Sequence, residues 1–136
     1  MSKRLDENLG TVDYDGLIVT NEPVADVFTV TIRKEASAEA TLKRGTVLAL
    51  SGGTAGDGKM VALGTTAKSN ETLTANAILC DDTKVGTDAD VEATAYRTGH
   101  FARNKLIFSG SSYTLKPADE EALRAAGILL SDALDY

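Results

Sequence analysis

The sequence predicts a mainly β protein: a small sandwich-like or barrel-like domain with one short C-terminal α-helix and an extended N-terminal arm. Several short segments alternate apolar and polar residues with a period of two, which is typical of half-buried strands. Threonine and valine, which favour strands, and glycine, which favours turns, are plentiful in the 136 residues. One helix is well indicated near the C-terminus. Many short strands with a single short helix predict one small β-rich domain.

Residues 1–26 differ from the rest and are predicted to form the arm. They hold six acids and two bases, and their apolar residues are spaced too loosely for a helical stripe. Gly10 and Gly16 interrupt any regular element, and Pro23 closes the segment. Two interpretations stand, a tethering arm and a frayed terminus. Residues 27–136 are assigned to the β domain.

The strand predictions begin at residues 27–33, where Phe28, Val30 and Ile32 share one face. The other predicted strands are residues 36–42, which alternate weakly, 46–50, 60–63, 75–80, 91–96 and 105–108. Polar or glycine-rich connections separate them, including an acidic stretch at 81–90. The pair Thr98-Gly99 is predicted to turn the chain.

The helix prediction covers residues 117–127. Pro117 suits the first helical position, and three acids at positions 119 to 121 lie where the helix dipole favours them. Gly127 is placed for a left-handed C-cap. Residues 128–130 are apolar and are expected to pack back onto the domain.

Composition argues against several classes of protein. The formal net charge of −6 disfavours a nucleic-acid groove, which needs a basic face. No apolar run approaches the roughly 18 residues of a membrane span. Residues 1–7 have no apolar stretch after their two bases, so no signal peptide is expected. Cys80 is the only cysteine, so no intrachain disulfide is expected.

Candidate sites for chemistry each have a simpler interpretation. Residues 53–59 match the first seven positions of a P-loop, but Met60 stands where Ser or Thr is required and a strand follows, which favours a hairpin loop. The acidic stretch offers oxygen ligands for calcium but lacks EF-hand spacing, so a solvated loop is preferred. His100 is the only histidine and no motif supplies a nucleophile or an orienting acid. We therefore expect no catalytic residues, no metal site and no cofactor.

The basic residues Arg97, Arg103 and Lys105 form a stretch that carries no acid. It is interpreted either as a solvated turn or as a contact with an acidic partner surface, such as a neighbouring copy.

The order of elements resembles a known family. Residues 45–50, a glycine-rich loop, residues 59–63 and 77–79, the acidic loop, and the segment 91–101 with its Thr-Gly-His-Phe turn resemble tailed-bacteriophage head decoration proteins of the phage lambda type. The closing residues 119–128 are also similar to the last helix of such proteins. The resemblance covers about residues 45–130. It implies a β-tulip-type domain that acts by contact and is not an enzyme.

The resemblance also implies a place and partners. The protein is expected on the outer capsid surface of the virion, after synthesis in the host cytoplasm, as a homotrimer at three-fold and quasi-three-fold positions. There it would bind the major capsid protein and cement the expanded, DNA-filled head, without direct contact to nucleic acid or membrane. Two alternatives remain: another virion accessory, such as a head fibre base or tail accessory, and a small ligand-binding or hydrolase domain.

Contact residues follow from the same resemblance. The predicted capsid-binding residues, all in the arm, are Lys3, Arg4, Leu5, Leu9, Val12, Tyr14, Leu17, Ile18 and Val19. The predicted subunit interface, around the Thr-Gly turn, consists of Arg97, His100, Phe101 and Arg103.

Overall fold

A computed structural model describes residues 17–20, 24–109 and 113–131. Of these, 46% lie in strands and 12% in helices, which confirms the mainly β prediction with one short C-terminal helix. The strands are β1 (Ile18–Thr20), β2 (Asp26–Ile32), β3 (Ala40–Leu42), β4 (Val47–Gly52), β5 (Met60–Ala62), β6 (Thr72–Leu79), β7 (Thr83–Val85), β8 (Val91–Ala102) and β9 (Ile128–Ser131), and the helix is α1 (Pro117–Ala126).

Five strands close into a barrel in the order β8, β2, β5, β4 and β6, with β6 pairing back onto β8. All of these pairs are antiparallel except β2 with β5, which meet in parallel at the single pair Ile32 and Met60. The strands β2 and β5 therefore separate beyond this point. A second, two-stranded sheet is formed by β3 and β7.

Strand β8 has twelve residues and serves two sheets. Its first part pairs with β2 and β6 inside the barrel, and its last four residues pair with β1 and β9. The predicted turn at Thr98-Gly99 is wrong, because the strand continues through both residues. Gly99 has φ of +147°, and the register against β2 shifts at Asp26. The glycine thus accommodates an irregularity inside a long strand.

The predicted strand at residues 105–108 is also wrong. Arg103–Lys105 form a short 3-10 turn, and only Ile107 makes an isolated bridge, to Thr46. Leu106 turns into the core, where it is 9% exposed. Of the apolar run at 106–108 only Leu106 is buried, and Ile107 is exposed, so the run does not form a strand.

Two hydrophobic clusters hold the domain together. One draws buried residues from all five barrel strands, among them Val30, Leu48 and Leu79. The other joins the barrel to Leu106, to Leu123 of α1 and to Ile128 of β9. Because Leu123 and Ile128 are fully buried, α1 and β9 are integral parts of the domain.

The helix follows its sequence prediction closely. Pro117 begins it, and Gly127 caps it with φ of +113°. The Gly127 N–H donates to the carbonyls of Leu123 and Arg124, each at 3.1 Å. Residues 128–130, which were expected only to pack back, belong to β9, which extends to Ser131 and pairs in parallel with β8.

Candidate functional site

The predicted arm meets the β domain at β1. The Ala102 N–H donates to the Leu17 carbonyl at 2.7 Å, and Ile18 lies opposite Phe101 of β8. Ile18 and Val19 are half-buried. Residues 17–20 are therefore paired with the barrel's longest strand. The other predicted capsid-binding residues, namely Lys3, Arg4, Leu5, Leu9, Val12 and Tyr14, lie outside the described residues.

Leu17 differs from its prediction. It was assigned to a surface that contacts the capsid, but its side chain is 2% exposed and packs in the cluster that contains Phe101 and Ile128. A side chain buried in its own domain cannot touch a partner directly. Leu17 is therefore an anchor for the segment that precedes it.

The four residues predicted at a subunit interface occupy different environments. Arg97 is exposed and binds the Asp26 carboxylate, with Nη2 at 2.6 Å from Oδ2. Arg103 forms an ion pair with Glu120 of α1 at 2.7 Å. Half-buried His100 lies with Nε2 at 2.9 Å from the Ser131 hydroxyl. Phe101 is fully buried, so its ring can act only from within the fold.

Sequence reasoning missed a buried ionic network at the rim of the barrel. The side chain of Glu71 is fully buried and accepts hydrogen bonds from Arg33, from the Ser51 hydroxyl at 2.5 Å and from the Lys68 N–H at 2.9 Å. Arg33 also holds Asp57 in a bidentate pair at 2.9 and 3.1 Å. No part of the sequence indicated it, because these residues are far apart in the chain.

The charges in this network lower the pKa of both carboxyl groups. Hydrogen bonds from the Lys68 N–H, Ser51 and Arg33 lower the pKa of Glu71 to about 2. The Arg33 guanidinium lowers the pKa of Asp57 well below its ordinary range. Both groups are thus ionised at neutral pH. Their arrangement fastens the loop at residues 53–59 to Glu71, the residue directly before β6, which is a structural role.

The loop at residues 53–59 joins the antiparallel strands β4 and β5, as the hairpin interpretation predicted. A Cβ placed on Gly56 would lie 2.4 Å from the backbone of Gly52, so the loop is folded tightly on itself. Met60 begins β5 directly after it, where a P-loop would begin its helix. The nucleotide interpretation is therefore not supported.

The acidic stretch at residues 81–90 is partly structured, since β7 runs through it. The Asp82 carboxylate accepts a hydrogen bond from the backbone N–H of Arg44 at 2.7 Å. The Asp90 carboxylate accepts one from the backbone N–H of Lys34 and forms an ion pair with Lys59 at 2.5 Å. These acids serve as anchors for neighbouring basic residues. Within the described residues, no group of three or more His, Cys, Asp or Glu side chains is placed to hold a metal ion.

An open groove of about 1020 Å³ lies where β2 and β5 separate. Its floor includes the buried residues Ile32 and Val61, and Ile107 at its rim is 39% exposed. Five basic and three acidic side chains line it, a surplus of two positive charges in a chain of net charge −6.

None of the helices among the described residues has the length and apolar character needed to cross a membrane. Comparison with individual curated proteins gives no match. Comparison with protein families gives one, the family described as Bacteriophage lambda head decoration protein D, whose model matches residues 10–131. That match runs from within the predicted arm through every strand and the helix to the end of β9. The chain is therefore a member of the bacteriophage lambda head decoration protein D family, whose proteins are structural components of the outside of the phage head.

Proposed function

We propose that this protein binds the outside of the expanded phage head as a trimer at three-fold and quasi-three-fold positions, and that it cements the shell by bridging neighbouring major capsid protein subunits. The observation that carries the proposal is the family match over residues 10–131. The barrel supplies a rigid body for this role, since the ion pairs of Arg33 with Asp57 and Glu71 anchor its loops.

The arm supplies the proposed contact with the shell. Strand β1, which follows Leu17, lies at the edge of the sheet formed by β1, β8 and β9. An extended segment that adds to a strand edge gains main-chain hydrogen bonds, and its side chains add specificity. We place the direct contact on the arm residues Lys3, Arg4, Leu5, Leu9, Val12, Tyr14, Ile18 and Val19, while buried Leu17 anchors the arm to the domain.

Three-fold symmetry strengthens such a contact. One arm loses conformational entropy on binding and holds weakly, but three arms on one trimer bind with a high effective concentration. A cyclic trimer also matches the three-fold positions of an icosahedral shell. Among the predicted interface residues, exposed Arg97 is the best placed to meet a second copy, with His100 and Arg103 nearby on β8 and the following turn.

Sedimentation with heads tests the proposal. The protein is mixed with expanded, undecorated heads of its phage, and the pellet is assayed for bound protein. A variant that lacks residues 2–14 keeps Leu17 and is expected to stay folded but to lose co-sedimentation. A control variant carries a Gly/Ser segment of equal length in place of residues 2–14 and separates arm length from arm sequence.

The outcomes are distinct. Loss of binding in both variants supports a contact made by the arm's side chains. Full binding by the shortened variant would remove the arm from the mechanism. Failure of the intact protein to bind heads, together with binding to tails, would favour another virion accessory, and binding to no particle would contradict the proposal.

A further inference from the structure

We infer that two copies of this chain pair in solution through the outer edge of β2, strand against strand and in antiparallel orientation. The outer edge of β2 is the side of residues 27–31 that faces away from β8. The inference concerns the free protein and does not depend on the proposed trimer on the shell. It rests on main-chain groups without partners, on the composition of the strand and on the order of its charges.

The outer edge of β2 has main-chain groups that are not paired. Strand β2 pairs with β8 along its whole length but meets β5 only at Ile32 and Met60. The Arg33 N–H donates to the Met60 carbonyl at 2.9 Å, so by the alternation of a strand the odd-numbered residues direct their main-chain groups to this side. Within the described part of the chain, the N–H and carbonyl of Thr29 and the N–H of Thr31 therefore have no hydrogen-bond partner. Both threonines are exposed, and such a row of groups is a template for another strand.

The composition of β2 favours such pairing. Residues 27–32 are valine, phenylalanine, threonine and isoleucine only, with no charge, glycine or proline. Side chains of this kind favour strands, whereas edges that stay single are protected by lysine, proline or a bulge. The register shift against β8 lies between Asp26 and Val27, where the segment begins, and Val27 is 44% exposed. From Val27 onward the edge therefore lacks this protection.

A second copy of the same strand satisfies the outer edge. When Thr29 lies opposite the partner's Thr29, each N–H of this residue reaches the other carbonyl, and the Thr31 N–H reaches the carbonyl of the partner's Val27. In this two-fold register each copy donates through both threonines and accepts in return. The register also places threonine opposite threonine and valine opposite threonine, and such cross-strand pairs stabilise antiparallel strands. A two-fold contact uses the same surface on both partners and is the commonest symmetry of soluble oligomers.

The order of charges along the strand selects the antiparallel orientation. The exposed acid Asp26 begins β2, and the bases Arg33 and Lys34 follow its end. An antiparallel pair brings the acid of each copy beside the basic end of the other, whereas a parallel pair would bring like charges together. These charges already have partners in their own chain. They therefore set the orientation, while the backbone and the side chains of residues 27–31 supply the affinity.

The mass of the free protein tests the inference. Sedimentation equilibrium of the full chain without heads, over a wide range of protein concentration, is expected to show a concentration-dependent dimer. Thr29→Lys/Thr31→Lys places like charges opposite one another in the pair and should raise the dissociation constant of the dimer about tenfold or more. The matched control Thr72→Lys/Thr74→Lys makes the same charge change at two exposed threonines of β6 and should leave that constant nearly unchanged.

Disulfide cross-linking locates the contact. In a Cys80→Ala background, Thr29→Cys should form an intermolecular disulfide on mild oxidation, because directly opposite residues in such a pair have Cα atoms about 5.5 Å apart, within the range that a disulfide spans. Thr72→Cys in the same background should remain reduced. Because this measurement needs no lysine variant, it decides the inference even when those variants misfold.

Other results overturn the inference. A protein that is monomeric at every concentration would do so, as would a dimer whose dissociation constant is unaffected by Thr29→Lys/Thr31→Lys. Equal cross-linking of Thr29→Cys and Thr72→Cys would also exclude the outer edge of β2 as the contact. A free trimer that survives the lysine changes would overturn this inference and leave the proposed trimer on heads intact, so the two proposals fail separately.

Discussion

Leu17→Ala is the substitution that best separates a buried anchor from a surface contact. Leu17 is 2% exposed and packs against the cluster of Phe101, Leu123 and Ile128. Burial of a leucine side chain contributes about 1.5–3 kcal/mol, and the cavity left behind raises the cost of Leu→Ala to about 2–5 kcal/mol. Because Leu17 lies near the start of the described domain, where the chain can partly fill the cavity, we expect a loss of about 3 kcal/mol in the free energy of unfolding.

Urea denaturation of the free protein measures this loss, and a thermal scan should show a fall of roughly 12 °C in the midpoint. Amide exchange at Ala102 should accelerate, because its N–H donates to the Leu17 carbonyl. The matched control is Leu129→Ala, since Leu129 is 38% exposed and its truncation should cost less than about 1 kcal/mol.

A direct contact between Leu17 and the capsid would give a different result. If Leu17 contacted the capsid directly, Leu17→Ala would leave the stability of the free protein unchanged and would weaken only its binding to heads. Equal effects of Leu17→Ala and Leu129→Ala on the urea midpoint would refute the assignment of Leu17 to the core.

Three further substitutions test other parts of the structure. Gly99→Ala should lower the free energy of unfolding, measured in urea, by about 3 kcal/mol, because its φ of +147° is strained for alanine and the new Cβ would lie 2.7 Å from the Phe101 ring. The control Gly58→Ala, at a glycine with φ of +73° and no atom within 4 Å of the new Cβ, should lower it by only about 1 kcal/mol. Equal losses for the two variants would contradict the crowding of Gly99 against Phe101. Glu71 has a pKa lowered from 4.5 to about 2, so its stabilising effect is complete above pH 4.5 and is lost as the pH falls through 2. The urea midpoint of Glu71→Gln should therefore depend less on pH than that of the unmodified protein between these values, and identical profiles would count against the network. Arg97→Ala should leave the urea midpoint nearly unchanged, because an exposed ion pair contributes little to stability. The same change should reduce the fraction of head-bound protein that is trimeric. An unchanged fraction would remove Arg97 from the subunit interface.

Local sequence patterns predicted the local elements well. The alternation at residues 27–33 places Val30 and Ile32 in the interior as expected, with Phe28 packed beside them. Pro117 and Gly127 mark the limits of α1 correctly. These features depend on neighbouring residues and on backbone preferences, which a sequence displays directly.

Long-range features were not predictable in the same way. Strand β9 pairs with β8, about thirty residues earlier, and carries too short an apolar run to be distinguished from a packed coil. The burial of Glu71 depends on Arg33 and Ser51, which lie 38 and 20 residues away. The glycine at position 99 suggested a turn, but strand partners on both sides of β8 keep the chain extended.

In the proposed role this polypeptide works as a clamp on the outside of the head. A cryo-electron microscopy reconstruction of mature virions would show this arrangement. We expect density for three copies of the barrel around each three-fold and quasi-three-fold position, with arms that extend onto neighbouring major capsid protein subunits. Density for the barrel on the tail or inside the shell, or an outer surface without it, would exclude the proposed role.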